Sequence, residues 1–445
     1  MSFARTYMKV VQKVLPSPFA IAVILTVVTS LLALLLTEPL GSDPHIVQLF
    51  YNWEAGVWSL LKFTMQMMLI LVLGHSLALS KPVLAMIRNI TGLCTSNARS
   101  AIIVTFISIL TGYFNWGLGL ILGAILARKV GEHAQEKGIP LNYPLIGACG
   151  YTSLMVWHGG LSGSAPLTIA KAGHSMEDAI GVMPISETLF SSLNFTVLAA
   201  IVVALPFLAW ILGRNSQFDH VHIKSKHQKP KAHHGAHGAE RLDHMIWFGR
   251  VFGLLILFVA FLRYRSMDDK FTYLNLDTVN LLLFGLSMSL HGSIYRFAHS
   301  VEHAIKDSTG ILIQFPLYAG IMGLMTNSGL LEVFADFFID LSNQKTFPFF
   351  AFLSSGIVNI MVPSGGGQWQ VQGPILIEAA QELNYPLNRT VMALSYGDQI
   401  TNMLQPFWAL PLLGITGLKA KQILPYSLLF MLLGGSIYLG ALLFL

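Results

Sequence analysis

From Pro18 to Leu36 the chain carries no charged residue. A run of that length crosses the roughly 30 Å hydrocarbon core of a bilayer as a helix, which takes about 20 residues. Comparable runs recur near Val57–Leu79, Thr188–Leu212, Met245–Leu262, Asp277–Leu290, Ser308–Thr326 and Ile423–Leu445. Inside hydrocarbon every backbone N–H and C=O must be bonded within the protein, so such runs fold as helices. Composition agrees: 11% of residues are charged, against about 25% in soluble domains. The chain therefore reads as an all-α polytopic membrane protein in a lipid bilayer, not as a soluble enzyme.

The net charge of +5 is no sign of nucleic acid, because membrane proteins gather Lys and Arg on their cytoplasmic side. Arg5, Lys9 and Lys13 precede the first run, which is too long for a cleaved signal. Cys94 and Cys149 form no CxxC pattern or disulfide framework. No GxxxxGK[ST], HExxH or GxSxG motif is present, so neither ATP coupling nor an enzyme constellation is expected, and no cofactor.

Four apolar stretches are interrupted by residues that stop helices. Val362-Pro363-Ser364-Gly365-Gly366-Gly367-Gln368-Trp369 separates two short arms, Phe349–Met361 and Val371–Ala380. Three successive glycines cost about 1 kcal/mol each inside a helix. The stretch predicts a re-entrant helical hairpin over 347–383, with its tip lining a polar cavity. Asn115-Trp116-Gly117-Leu118-Gly119 predicts a second hairpin over 99–131. A discontinuous helix is expected over 143–172, broken at Trp157–Pro166, and another over 387–417, broken at Tyr396–Pro406. The competing reading of the Val362–Trp369 stretch is a long helix broken by glycines for close packing.

Residues 1–213 and 245–445 share the order span, hairpin, broken helix, span. Between them, 214–244 is a linker rich in His and Lys, expected to be solvated and cytoplasmic. Tyr143-Pro144-Leu145 and Tyr385-Pro386-Leu387 open the two broken helices. With the broken helices the runs make nine crossings, the N-terminus cytoplasmic and the C-terminus outside. The first hairpin then enters from the cytoplasm and the second from outside. Inverted-topology repeats with paired discontinuous helices point to a secondary transporter with its site near the midplane. A passive channel for small organic acids and a membrane enzyme are the competing classes.

Asp398 is the carboxylate in the middle of a broken span, where charge is costly and marks function. With Thr401 it is the candidate site for a coupling ion, a proton or Na⁺, since hard cations take oxygen ligands. The candidate substrate residues are Asn115, Trp116, Gly117, Ser162, Gly163, Ser164, Ser364, Gly365, Gly366, Gly367, Gln368, Trp369, Asn402, Gln405 and Trp408. Short helices at the breaks expose N–H groups that attract anions, and glycine lets an anion approach. The tryptophans would contact an aliphatic tail. His75 and His158 read as packing histidines.

The Val362–Trp369 stretch, Gln372-Gly373-Pro374 and Gln405-Pro406-Phe407-Trp408-Ala409-Leu410-Pro411 together resemble the AtoE-type short-chain fatty acid transporter family of bacteria. Asn115–Gly119, Gly160–Ser164 and Thr309–Pro316 extend the resemblance over nearly the whole chain; the His-rich linker departs from it. The resemblance implies uptake of small monocarboxylates such as acetoacetate or butyrate across the bacterial inner membrane. Through similarity to the wider ion transporter superfamily it also implies a homodimer and an elevator mechanism.

Overall fold

A computed structural model describes residues 16–40, 42–174, 176–215, 223, 238–267, 273 and 275–445. The His-rich tract, with His220, His222, His227, His233, His234 and His237, lies outside the described residues. The first half contains α1 (Pro18–Leu36), α2 (His45–Ser59), α3 (Leu61–Ala78), α4 (Lys81–Gly92), α5 (Asn97–Phe114), α6 (Trp116–Lys137), α7 (Tyr143–Tyr151), α8 (Ser164–Ile169), α9 (Glu177–Ile180) and α10 (Ser192–Asn215). The second contains α11 (Glu240–His244), α12 (Ile246–Ser266), α13 (Leu276–His291), α14 (Ile294–Ile305), α15 (Thr309–Asn327) and α16 (Leu330–Asp340). It continues with α17 (Phe347–Met361), α18 (Gly365–Glu382), α19 (Leu387–Thr401), α20 (Pro406–Thr416) and α21 (Ala420–Phe444). No β-strand forms among the described residues.

Among the described residues, 7 helices are long and apolar enough to cross a membrane: α1, α2–α3 taken together, α5, α10, α12, α15 and α21. The protein is thus a multi-pass membrane protein. This set differs from the nine expected crossings in three ways. The two broken helices count as shorter pieces. Helix α13 has 16 residues, about 24 Å at 1.5 Å per residue, short of the hydrocarbon thickness. Helix α5, expected as a short arm, has 18 residues because it starts at Asn97, where Ser96 caps it by accepting from Arg99 N.

Helices α1 and α12 are the least buried of the seven. Helix α12 buries only Gly249, Gly253 and Ala260, so small residues bring it against α13 while its large apolar side chains face outward. The interior is built from α5 to α7 and α17 to α21. The two halves are tied where α6 meets the C-terminal end of α20. Arg128 Nη1 donates to Ile415 O at 2.8 Å, and Tyr143 OH donates to Thr416 O at 2.9 Å. The last carbonyls of a helix have no intrahelical donor, so the buried guanidinium and phenol satisfy them.

Candidate functional site

Both broken helices unwind in the same way. Helix α7 passes into a 3-10 turn, Thr152–Met155, and the chain runs without regular helix to Gly163, which precedes α8. Helix α19 passes into a 3-10 turn, Asn402–Leu404, then an extended Gln405 (ψ 119), and α20 starts at Pro406. Helix α19 is still regular through Thr401, so Asp398 lies in its last turn and not on unwound backbone. The break begins at Asn402, later than the expected Tyr396. Tyr151 OH lies 2.7 Å from Asn402 O and 3.1 Å from Gln405 O, bridging the first broken helix to the carbonyls freed in the second. Tyr438 OH donates to Met155 O. Such partners are what unwound backbone requires at membrane depth.

Asp398 and His158 are both fully buried. Ala165 N–H donates to His158 Nε2 at 3.1 Å. That nitrogen is therefore an acceptor, the ring proton sits on Nδ1, and Nδ1–H donates to Asp398 Oδ2 at 2.6 Å. His158 is thus the partner of the buried carboxylate and not a packing histidine. Gln399 Oε1 accepts from His158 N at 2.9 Å, fixing the turn that carries the ring. Asp398 Oδ1 is buried with no hydrogen-bond partner among the described residues.

The glycine tip rests directly on this pair. Ser364 caps α18 by accepting from Gly367 N at 3.2 Å. The three glycines form the first turn of α18, where their N–H groups need no intrahelical partner, so the second arm is longer than its apolar stretch suggests. A Cβ on Gly365 would lie 2.6 Å from Trp157 Cη2, 2.9 Å from His158 Cε1 and 3.2 Å from Asp398 Oδ2. Glycine is what allows this approach. One on Gly366 would meet only Ser164, at 3.9 Å.

Asn359, not singled out in the sequence, organises the other side of the carboxylate. Its Nδ2 lies 2.6 Å from Asp398 O, 2.9 Å from Thr401 Oγ1 and 2.7 Å from Asn402 Oδ1. Gln405 Nε2 donates to Asn359 O. Gln368 Nε2 donates to Ser355 O at 2.9 Å and lies 2.7 Å from Gln372 Oε1. Asn359 Oδ1, Gln368 Oε1 and Gln405 Oε1 are, like Asp398 Oδ1, buried without a donor among the described residues. Buried acceptors of this kind are rare, and each calls for an explanation.

The first tip joins the same region. Asn115 Oδ1 accepts from Leu118 N at 3.0 Å, capping α6, and Trp116 N donates to Ser162 Oγ at 3.0 Å. Gly117 follows in the first turn of α6. Trp116 packs against Trp408 with ring centroids 5.0 Å apart and against Trp157 at 6.2 Å. Phe63, Phe315 and Phe407 continue the cluster, and Trp157 stacks on His158 at 4.4 Å. The structure brings Trp116 and Trp408 together but joins Trp369 to none of these rings among the described residues. Trp157 takes that place. The indole N–H groups of Trp157 and Trp408 are buried without an acceptor among the described residues.

The profile of the short-chain fatty acid transporter family matches residues 1–445. The chain belongs to this family. A protein of Escherichia coli, provisionally named a short-chain fatty acid transporter, is 37% identical over 98% of this chain and 97% of its own. One of Haemophilus influenzae with the same provisional name is 36% identical over the same shares of the two chains. The Alcanivorax borkumensis YdaH transporter covers 96% of this chain and 98% of its own, with 16% identity and a TM-score of 0.44. Neisseria gonorrhoeae MtrF covers 99% and 97%, with 14% identity and a TM-score of 0.45. Family membership makes this protein a transporter and not an enzyme.

Proposed function

We propose that the protein is a secondary active carrier of small monocarboxylates, such as acetoacetate or butyrate, across the bacterial inner membrane. The family supplies the substrate class. The observation that carries the site is the seat of Gly365 on the buried Asp398–His158 pair. In this reading α5–α6 and α17–α18 are re-entrant hairpins of two inverted repeats over 1–213 and 245–445. Their tips and the two breaks enclose the substrate.

Asp398 takes the coupling ion. The surplus of buried oxygens at Asp398, Asn359, Gln368 and Gln405, with the Thr401 hydroxyl, matches the oxygen preference of a hard cation such as Na⁺. The carboxylate of the substrate finds donors in the first turns of α6 and α18 and in the indole N–H groups of Trp157 and Trp408. Its short tail lies against Trp116, Trp408 and Phe63. An elevator movement of a homodimer, with the N-terminus cytoplasmic and the C-terminus periplasmic, completes the proposal. Uptake of radiolabelled butyrate into proteoliposomes under separately imposed Na⁺ and pH gradients tests it. Saturable uphill accumulation driven by inward Na⁺ is expected. Non-saturable equilibration indicates a passive channel instead.

A further inference from the structure

A cavity of about 310 Å³ lies apart from the Asp398 site, where α10 and α19 begin and α21 ends. Its walls include Glu187, Ser191, Ser192, Thr196, Asn388 and Arg389. A second cavity, of about 290 Å³, shares Thr196 and Leu445 with the first and runs between α10 and α21 along Val197, Ala200, Ile437, Gly440 and Phe444. The first mixes polar groups and a charge of each sign with Leu193, Met392 and Leu445; the second is an apolar groove continuous with it.

Among the described residues, Arg389 is the one cationic side chain lining the first cavity. Its Nη2 donates to Leu442 O at 2.9 Å, its guanidinium lies 5.9 Å from the Tyr385 ring centre, and its Nε is buried with no acceptor among the described residues. Glu187 is the one acidic side chain there, and among the described residues neither it nor Arg389 forms an ion pair. A charged Arg fork with one Nη2 hydrogen held by a backbone carbonyl keeps further N–H donors that suit a phosphate. At the start of α10, a helix of 24 residues, Ser191 accepts from Asn194 N and Phe195 N, and the N–H groups of Ser192 and Leu193 stand at the same cavity.

Depth decides the class of ligand. Helix α21 has 25 residues, about 37 Å at 1.5 Å each, more than the hydrocarbon core. Arg389 and Glu187 lie beside its last turn, and charged side chains are costly in hydrocarbon, which puts that end at head-group level. The groove from Phe444 back to Ser436 follows the last two turns inward, about 12 Å into the hydrocarbon. Phe195 and Val203 on α10 and Leu432 on α21 are more than half exposed, so these helices face lipid and the groove opens sideways onto it.

We propose that the composite cavity binds a membrane phospholipid whose head group carries both a phosphate and a protonated amine. The phosphate pairs with Arg389 and the first turn of α10, the ammonium faces Glu187, and one acyl chain fills the groove between α10 and α21. A small free carboxylate would pair with Arg389 but would leave Glu187 opposed to a like charge and the groove unfilled. The inference is independent of which ion couples transport.

The test uses the full-length protein, delipidated in detergent and titrated with phosphatidylethanolamine, phosphatidylglycerol, phosphatidylcholine or butyrate, with bound lipid counted by native mass spectrometry. Phosphatidylethanolamine is expected to bind tightest. Arg389→Gln should weaken it tenfold or more. Gly440→Leu should do the same by filling the groove, and a Cβ there meets nothing within 4 Å, so the fold accommodates it. Glu187→Gln should bring phosphatidylethanolamine down to the phosphatidylglycerol level. Equal binding by wild type, Arg389→Gln and Gly440→Leu overturns the proposal. So does displacement of the lipid by millimolar butyrate, which identifies a small-acid site.

Discussion

Replacing Gly365 by alanine adds one methyl group at the place where the glycine tip meets the buried carboxylate. The new Cβ would stand 2.6 Å from Trp157 Cη2, 2.9 Å from His158 Cε1 and 3.2 Å from Asp398 Oδ2. Two of these distances are shorter than real Cβ contacts allow, and the atoms belong to rings that are 4% and 0% exposed. Neither ring is a flexible chain end that can swing aside. Overpacking of this kind costs about 1–3 kcal/mol, a factor of roughly 5 to 150 in an equilibrium between a seated and a retracted tip. Gly366→Ala is the matched control, since its Cβ meets only Ser164 at ordinary contact distance, 3.9 Å. Initial rates of butyrate uptake in proteoliposomes, at equal protein and with matching size-exclusion profiles, should fall about fivefold or more for Gly365→Ala and stay within about twofold for Gly366→Ala. Equal, near wild-type rates for the two variants would refute the seating of the tip on the Asp398–His158 pair.

His158→Leu removes the donor to Asp398 and the acceptor for Ala165, leaving a buried carboxylate alone; a loss of about 3–5 kcal/mol is expected in denaturant titrations, with Asp398→Asn added in the same chain recovering part of it. Tyr151→Phe keeps the ring and deletes the hydroxyl shared by Asn402 O and Gln405 O, so it should cost about 1–3 kcal/mol, read as a lower melting temperature with butyrate still bound.

The positions where helices stop were legible because Gly, Pro and Ser interrupt apolar runs, and that signal is local. Where the local signal misleads, a tertiary contact is responsible. Gly397 suggested that the second broken helix unwinds early, yet α19 stays regular there. A Cβ on Gly397 would lie 2.3 Å from Phe352 O, so the residue is small to let α17 pack against α19. The partner of Asp398 could not be read from spacing, because His158 is 240 residues away in the chain. Asn359 was missed for the same reason: it lies in an otherwise apolar arm, and the oxygens around its amide belong to Asp398, Thr401 and Asn402, in and just after α19. Trp369 and Trp157 flank their breaks alike in the sequence, and only the packing of α6 and α20 selects Trp157 for the aromatic cluster.

The central claim is that Asp398 couples a cation to substrate movement. Asp398→Asn keeps the size of the side chain and removes its charge. Proteoliposomes holding this variant should exchange labelled for unlabelled butyrate at equilibrium but fail to accumulate it against a gradient when inward Na⁺ is imposed. Accumulation by Asp398→Asn to the wild-type level would contradict the account.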